Sequence, residues 1–451
     1  MARGRQQLLV DTLRRFVRRG AGVHLERVLE KTRSEDIAAA LEQLPPRECH
    51  VIFSRLLESP ARAAEVLSQY DITQIAELLD GLDGLALKPV FAELSSDDAA
   101  DILSELPDAL SDAILEELED EESEGLEELM QFADDTAGGI MSTEIFALDK
   151  ELTAREAIVA LQDSMDAEMV FYMYCINEEG HLVGVLSLRQ LLTVPPATQL
   201  KDVMISDVIS VPVTLDQEEV AALVARYDLL AIPVTDEFNK LVGIITVDDV
   251  IDVLRDEATE DMMLMAGLGD DDMASRTTGR AIRTRIPWLA AGIVGLMGAA
   301  AMIRAFEHRI EAVAALAAFI PVVVGLSGNV GVQSSTLVVR GIAMGQLDVN
   351  KVGSAVWGEV KVVGGIAVLC GILVTGIAYF VGGNNIMLAG AVTTALFLSM
   401  LVAAVVGTAV PLVAERLGID PALATGPILT TTIDLVGVFI YFVVAGFWLG
   451  L

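Results

Sequence analysis

The stretch Leu423-Ala-Thr-Gly-Pro-Ile-Leu-Thr-Thr-Thr-Ile-Asp434-Leu-Val-Gly-Val-Phe-Ile-Tyr-Phe442 is apolar almost throughout and carries one charge, Asp434. The apolar run continues nearly to the last residue, long enough to cross about 30 Å of hydrocarbon as a helix. A carboxylate inside such a span costs roughly 3 kcal/mol on insertion scales unless it meets water, a partner or a cation. Asp434 is therefore expected to belong to an ion pathway. Four further apolar runs precede it, at about 286–305, 312–339, 356–381 and 388–413, each long enough to span. Arg276, Arg280, Arg283 and Arg285 stand just before the first and mark the cytoplasmic edge. An odd number of spans then leaves the N-terminus in the cytosol and the C-terminus outside.

The rest of the chain is of another kind. The 451 residues are 53% hydrophobic yet carry a formal charge of -35. From Arg276 onward there are 7 acidic and 10 basic residues, against 58 acidic and 20 basic before it. An acidic cytosolic part is thus fused to a membrane part. Phosphate binding needs a basic stripe, so nucleic acid is excluded as a partner, whereas small cations would be drawn to the acidic surface. Cys49, Cys175 and Cys370, with four histidines, form neither a disulfide framework nor a zinc motif. The basic start, residues 1–19, lacks an unbroken apolar core of signal length and reads as a cytoplasmic amphipathic helix able to touch lipid headgroups.

From about 22 to 132 apolar residues recur at helical spacing, with breaks at Pro45-Pro46, Pro60, Gly81 to Gly84 and Pro107. Loosely similar segments predict a small superhelix of short helices. Its acids, among them Glu65, Asp97, Asp98 and Asp101, form either a solvated face or a regulatory cation site. Between about 140 and 254 strand and helix alternate, twice. Residues 170–191 answer to residues 230–250, each with a strand, a polar turn, a second strand and a helix capped near Ser187 or Thr246. With Gly184, Ser187, Gly243, Thr246 and Asp249 in register, this resembles a tandem pair of CBS domains. That resemblance implies an adenosine nucleotide such as ATP, with Tyr172, Arg189, Thr246 and Asp249 as its contacts. The ribose-binding aspartate of such domains falls at Gln190 in the first repeat and Asp249 in the second; a purely structural pairing module is the competing reading.

A helical pattern follows, with Val247, Val250, Leu254 and Met262 near one side. Asp249, Asp252, Asp256 and Glu260 share another face, where like charges repel and invite cations or a basic partner. In the second apolar run, Pro321 to Thr336 brings in Ser327, Asn329, Gln333, Ser334, Ser335 and Thr336. These serve either close helix packing or a water-filled path lined by oxygens. Pro321 and Pro427 favour the path, because each is expected to free a carbonyl one turn earlier. Thr430 projects from the same side as Asp434, with Thr431 and Gly437 near. Oxygen-only ligands point to a hard cation without separating magnesium from calcium, manganese or sodium.

The motifs Ser327-Gly-Asn-Val-Gly-Val-Gln-Ser-Ser-Thr-Leu-Val-Val-Arg-Gly341 and Asp420-Pro-Ala-Leu-Ala-Thr-Gly-Pro-Ile-Leu-Thr-Thr-Thr-Ile-Asp434 resemble the bacterial MgtE magnesium channels, as do Asp-Thr-Ala-Gly-Gly-Ile-Met141 and Asp-Gln-Glu-Glu-Val220. The resemblance covers nearly the whole chain. It implies a multidomain fold: an all-α superhelical N-domain (1–135), an α/β tandem CBS pair (136–254), a long connecting helix (246–275) and a five-helix transmembrane domain (276–451). It implies a multi-pass homodimer in the bacterial cytoplasmic membrane, with Asp434 of both chains binding hydrated Mg2+ on the two-fold axis and Asn329 and Thr430 lining the pore. Regulatory Mg2+ sites are implied at Glu65, Asp97 and Asp101, at Glu218 and Asp228, and at Asp249, Asp252, Glu257, Glu260 and Asp261. The family's usual Gly-Gly-Asn is Ser327-Gly328-Asn329 here. The expected function is magnesium import closed by cytosolic Mg2+. Alternatives are a carrier for another divalent ion such as cobalt, a sodium-coupled exchanger, or a membrane-anchored nucleotide sensor. No nucleophile and base pair, Walker loop or hydrolase motif supports an enzyme.

Overall fold

The computed structural model describes residues 2–163, 171–268 and 278–450. Arg276 and the end of the expected connecting helix, within 269–277, lie outside the described residues. The chain divides into two compact units, Met1–Val253 and Leu254–Leu451.

In the first unit the described residues give ten helices before the first strand: α1 (Ala2–Arg19), α2 (Gly22–Leu29), α3 (Ser34–Leu41), α4 (Pro46–Leu56), α5 (Pro60–Ser68), α6 (Ile75–Leu79), α7 (Gly84–Phe91), α8 (Ser96–Glu105), α9 (Asp108–Leu115) and α10 (Asp120–Leu129). Pro46 and Pro60 occupy first-turn positions of α4 and α5, where a missing N–H costs no helical bond. The odd helices stack in series, α1 on α3, α3 on α5, α5 on α7 and α7 on α9, and α4, α6, α8 and α10 do the same. This two-layer stack buries Ile37, Leu41, Phe53, Leu67 and Leu79 completely. The lipid-touching role expected of α1 is corrected: its Val10 and Leu13 are buried in the superhelix core, and Arg14 and Arg18 pair with Glu48 at 3.3 and 2.8 Å. Cys49 fills the same core with its Sγ 3.1 Å from the Leu41 carbonyl.

The repeat read from the sequence folds as two three-stranded sheets of identical plan. Strands β1 (Ala147–Asp149), β2 (Tyr172–Ile176) and β3 (Leu182–Ser187) form one; β4 (Val211–Pro212), β5 (Ala231–Thr235) and β6 (Leu241–Thr246) form the other. In each the first pair is parallel and the second antiparallel, and the register slips at matching places, Cys175/Ile176 and Val234/Thr235. Helices α11 (Ala154–Asp163), α12 (Leu188–Thr193) and α13 (Gln217–Tyr227) complete the repeats, and α14 (Val247–Met265) leaves β6 directly. The segment leading into each repeat pairs with the other: Ser142 bridges to Ile244 and Ile205 to Val185. Met141 and Met204 then lie so close over Gly243 and Gly184 that neither site has room for a Cβ. Of the expected apolar side of α14, Val250 is buried, joined by Val253, but Leu254 and Met262 are exposed.

The second unit contains α15 (Thr278–Ala305), α16 (Glu307–Ala312), α17 (Ala315–Ala343), α18 (Val352–Val381), α19 (Ile386–Arg416) and α20 (Pro427–Leu449). Among the described residues five helices are long and apolar enough to cross a membrane: all of these but α16. α19 packs on α17, α18 and α20, and α15 on α20. The spans outrun their apolar cores because charged end residues such as Arg340 and Arg416 reach polar surroundings. The second and the fifth nevertheless start late, at Ala315 instead of 312 and at Pro427 instead of 423. This corrects the reading of Pro427: at the first helical position it frees no carbonyl, since first-turn amides have no helical acceptor. Pro321 does lie inside α17, as expected.

Candidate ion pathway and regulatory carboxylates

Asp434 lies seven residues into α20, about 10 Å from its start. It is half-exposed, and among the described residues no hydrogen bond or ion pair engages it. A Cβ placed on Gly328 of α17 would stand 3.5 Å from Asp434 Oδ1, so the carboxylate rests over the α17 backbone at the Ser327-Gly328-Asn329 motif. Gly437, one turn on, faces the Ser327 hydroxyl.

The six polar residues of α17 divide into two groups. Ser327 is fully buried and donates to the carbonyls of Val323 and Val324, and Ser335 is buried and donates to Val332. For these two, helix packing replaces the lined-path alternative. Ser334 is buried and donates to Glu359 of α18 at 2.9 Å. Asn329, Gln333 and Thr336 remain exposed at steps of four and three, on one stripe that ends at Arg340. Thr430 donates back to the Pro427 carbonyl at 3.0 Å, leaving its lone pairs as ligands.

At the mouth of α20, the end of α14 closes in. Gly267 leaves no room for a Cβ against the Pro427 ring, and the Leu264 carbonyl lies 3.1 Å from the Cβ position of Gly426. One turn back, Asp261 is pushed up to about 6 by burial, with the charges of Asp420 and Glu257 adding to it. Asp420, named from the sequence only as the first residue of the motif that ends at Asp434, thus joins the acidic group at this mouth.

In the first unit Asp97, Asp98 and Asp101, on α8, meet Asp249 at the start of α14. Burial, then mutual repulsion, pushes Asp97 and Asp249 to about 6 and Asp101 to about 7; Asp98 also rises to about 6 through burial, with Asp249, Asp248 and Asp252 adding to it. Asp97 Oδ1 is buried without a hydrogen-bond partner. Such a buried acceptor facing other carboxylates suits a cation. Nevertheless, among the described residues no three acidic, histidine or cysteine side chains converge tightly enough to hold a metal by themselves. Any ion here would keep much of its water, as Mg2+ does. Glu65 accepts from Ser34 Oγ at 2.6 Å. Glu218 and Asp228 stand at opposite ends of α13, about 15 Å apart along the axis, so one chain cannot bring them to one ion.

Of the nucleotide contacts, Tyr172 opens β2 opposite Ser187 and Arg189 is exposed on α12. Ser187 and Gln190 form a reciprocal capping box on α12. At the matching place before α14, Thr246 donates its N–H and, at 2.5 Å, its Oγ1 to Asp249 Oδ2. Gln190 therefore replaces an acid without loss of the helix cap.

Residues 320–444 match the divalent cation transporter family MgtE, residues 32–135 the MgtE intracellular N domain, and residues 137–196 and 200–256 the CBS domain. The chain is 35% identical over 450 residues to the magnesium transporter MgtE of Thermus thermophilus, covering 98% of both chains. It is 34% identical over 430 residues to that of Bacillus subtilis, covering 93% of this chain and 95% of the other. Among solved structures, the cytosolic domain of the Mg2+ channel MgtE in complex with ATP matches with a TM-score of 0.52 and 36% identity, over 54% of this chain and 99% of that one.

Proposed function

As this chain belongs to the MgtE family of divalent cation transporters, whose members are not enzymes, we propose that it carries Mg2+ across the bacterial cytoplasmic membrane and is closed by cytosolic Mg2+. One observation carries the transport reading: Asp434 rests unpaired over Gly328, beside the exposed polar stripe of Asn329, Gln333 and Thr336. Lipid does not accept such a stripe, so a second copy facing it across water fits best. In that homodimer the two Asp434 carboxylates hold a hydrated ion, with Asn329 and Thr430 binding its water. The N-terminus is cytosolic and the C-terminus outside, the orientation that Arg280, Arg283 and Arg285 in the first turns of α15 favour.

Closure rests on the repelling carboxylates. Mg2+ at Asp97, Asp101 and Asp249, with Glu65 and Asp252 nearby in role, offsets their repulsion and holds α8 to the start of α14. Mg2+ at Glu257, Glu260 and Asp261, with Asp420, holds the end of α14 at the mouth of α20. Glu218 and Asp228 serve an ion only where two protomers supply them together. Moving a gate from mostly open to mostly closed takes about 5 kcal/mol of preference, which several such sites share. An adenosine nucleotide at Tyr172, Arg189, Thr246 and Asp249 would draw on one acid, Asp249, that the ion also uses.

Mg2+ flux into proteoliposomes, with Mg2+ on the cytosolic face varied, tests both parts. Flux that stops as cytosolic Mg2+ rises, and that Asp434→Ala reduces to the level of protein-free vesicles, is expected. Undiminished flux through a folded Asp434→Ala removes the pore claim, and currents indifferent to cytosolic Mg2+ remove the gate. Preference for cobalt, or a requirement for sodium, would install the carrier readings instead.

A further inference from the structure

We infer that the membrane unit holds a second cation site, off the Asp434 pathway, in a side cavity where Glu359 of α18 meets Thr408 of α19. The cavity measures about 310 Å³ and is lined by Glu359, Thr408 and Gln346, with Val338 and Leu347 in its apolar wall. It belongs to the end of the spans that carries Arg340 and Arg416.

Three observations point to a ligand. Glu359 is a carboxylate within a span, seven residues from the start of α18 and so about 10 Å inside it. Its Oε1 accepts from Ser334, which fixes the group, and among the described residues no lysine or arginine pairs with it. Lys361, two residues on, lies over the Trp357 ring instead.

Thr408 supplies the second, independent observation. Threonines in spans ordinarily donate to a carbonyl three or four residues earlier. Thr375, Thr430, Thr431 and Thr432 all do so here. Thr408 does not: it is 1% exposed, and its Oγ1 has no hydrogen-bond partner although it lines the cavity. A buried hydroxyl left without a partner costs about 1–3 kcal/mol.

Gln346, in the loop after α17, also lines the cavity; its Nε2 donates to Met344 Sδ, which leaves its amide oxygen as an acceptor. One carboxylate with neutral hydroxyl and amide oxygens, and space for several waters, is the donor set of a hard divalent ion that keeps part of its hydration shell. Gly331 of α17 and Gly407 of α19 touch backbone to backbone just beside Ser334 and Thr408, so an ion drawing on both helices would bear on their packing. The choice of Mg2+ as the ion rests on the proposed function; the site itself does not.

Crystals of the full chain soaked in Mn2+, an anomalous scatterer that substitutes for Mg2+, test this. A peak in the cavity within coordination distance of Glu359 and Thr408 is expected, lost in Glu359→Gln and weakened in the near-isosteric Thr408→Val. Peaks at Asp434 or the cytosolic acids without one in the cavity would overturn the proposal while leaving the transport reading intact. A cavity peak that persists unchanged in both variants would also overturn it. A cavity peak with none at Asp434 would support this site and count against the pore claim alone.

Discussion

Asp97 concentrates the regulatory argument in one atom. Its Oδ1 is buried and unpartnered, and burial and its neighbours hold the group near 6, above the ordinary carboxylate value of 3.8. Asp98, Asp101 and Asp249 are raised likewise. A carboxyl whose folded value lies above its unfolded one binds more protons when folded, so stability is greatest at low pH and falls as pH rises through the window from about 4 to 7. Thermal unfolding of the full chain in chelator should therefore show a lower transition for the cytosolic part at pH 8 than at pH 5.5. Added Mg2+ should flatten that dependence. Asp97→Asn should flatten it too, and reduce the Mg2+ response; a chelated wild-type protein indifferent to pH would refute the cluster. The position of these acids on α8 was legible in the sequence, but their meeting with Asp249 was not. That contact joins residues about 150 apart, and no local pattern encodes it.

At the scale of elements, the repeated strand and helix units were readable because each repeats apolar strands around a polar turn. The methionine packing was not. Gly243 and Gly184 read only as matching positions of the two repeats, and only the paired sheets show Met141 and Met204 pressed onto them from the opposite repeat. Gly243→Ala should force that contact apart and destabilise the chain by about 1–3 kcal/mol, seen as an earlier thermal transition; Gly180→Ala, at a turn glycine with open space around it, tests backbone strain alone by contrast. Elements also explain the two failed readings. α1 looked like a lipid-seeking helix because a basic amphipathic stripe is the same pattern whether its apolar side meets lipid or a protein core. Pro427 looked like a helix interruption because the sequence places a helix start only to within a few residues, and one residue decides whether a proline breaks a bond or begins a helix.

At the scale of the whole molecule, charge and hydropathy divide the chain unambiguously: 58 acidic residues before Arg276 and 7 from there on. The exposed stripe of Asn329, Gln333 and Thr336 sets the assembly question. With a two-fold pore, Asn329→Cys in a cysteine-free background should cross-link between copies in the membrane under mild oxidation, whereas a cysteine at lipid-facing Leu369 of α18 should not. The reverse result would place the pore elsewhere.

The sequence by itself determined which segments enter the membrane, where the two repeats lie, and that Asp434 is a charge in hydrocarbon, because these follow from solvation of each residue type and from short periodicities. Only the tertiary structure decided which polar groups are spent on packing and which remain available. Ser327 and Ser335 bond to their own helix, Ser334 to Glu359, and Asn329 stays open. All four share one span and one polar character. What separates them is the direction each projects and the neighbour it finds there, and that exists only once distant helices pack.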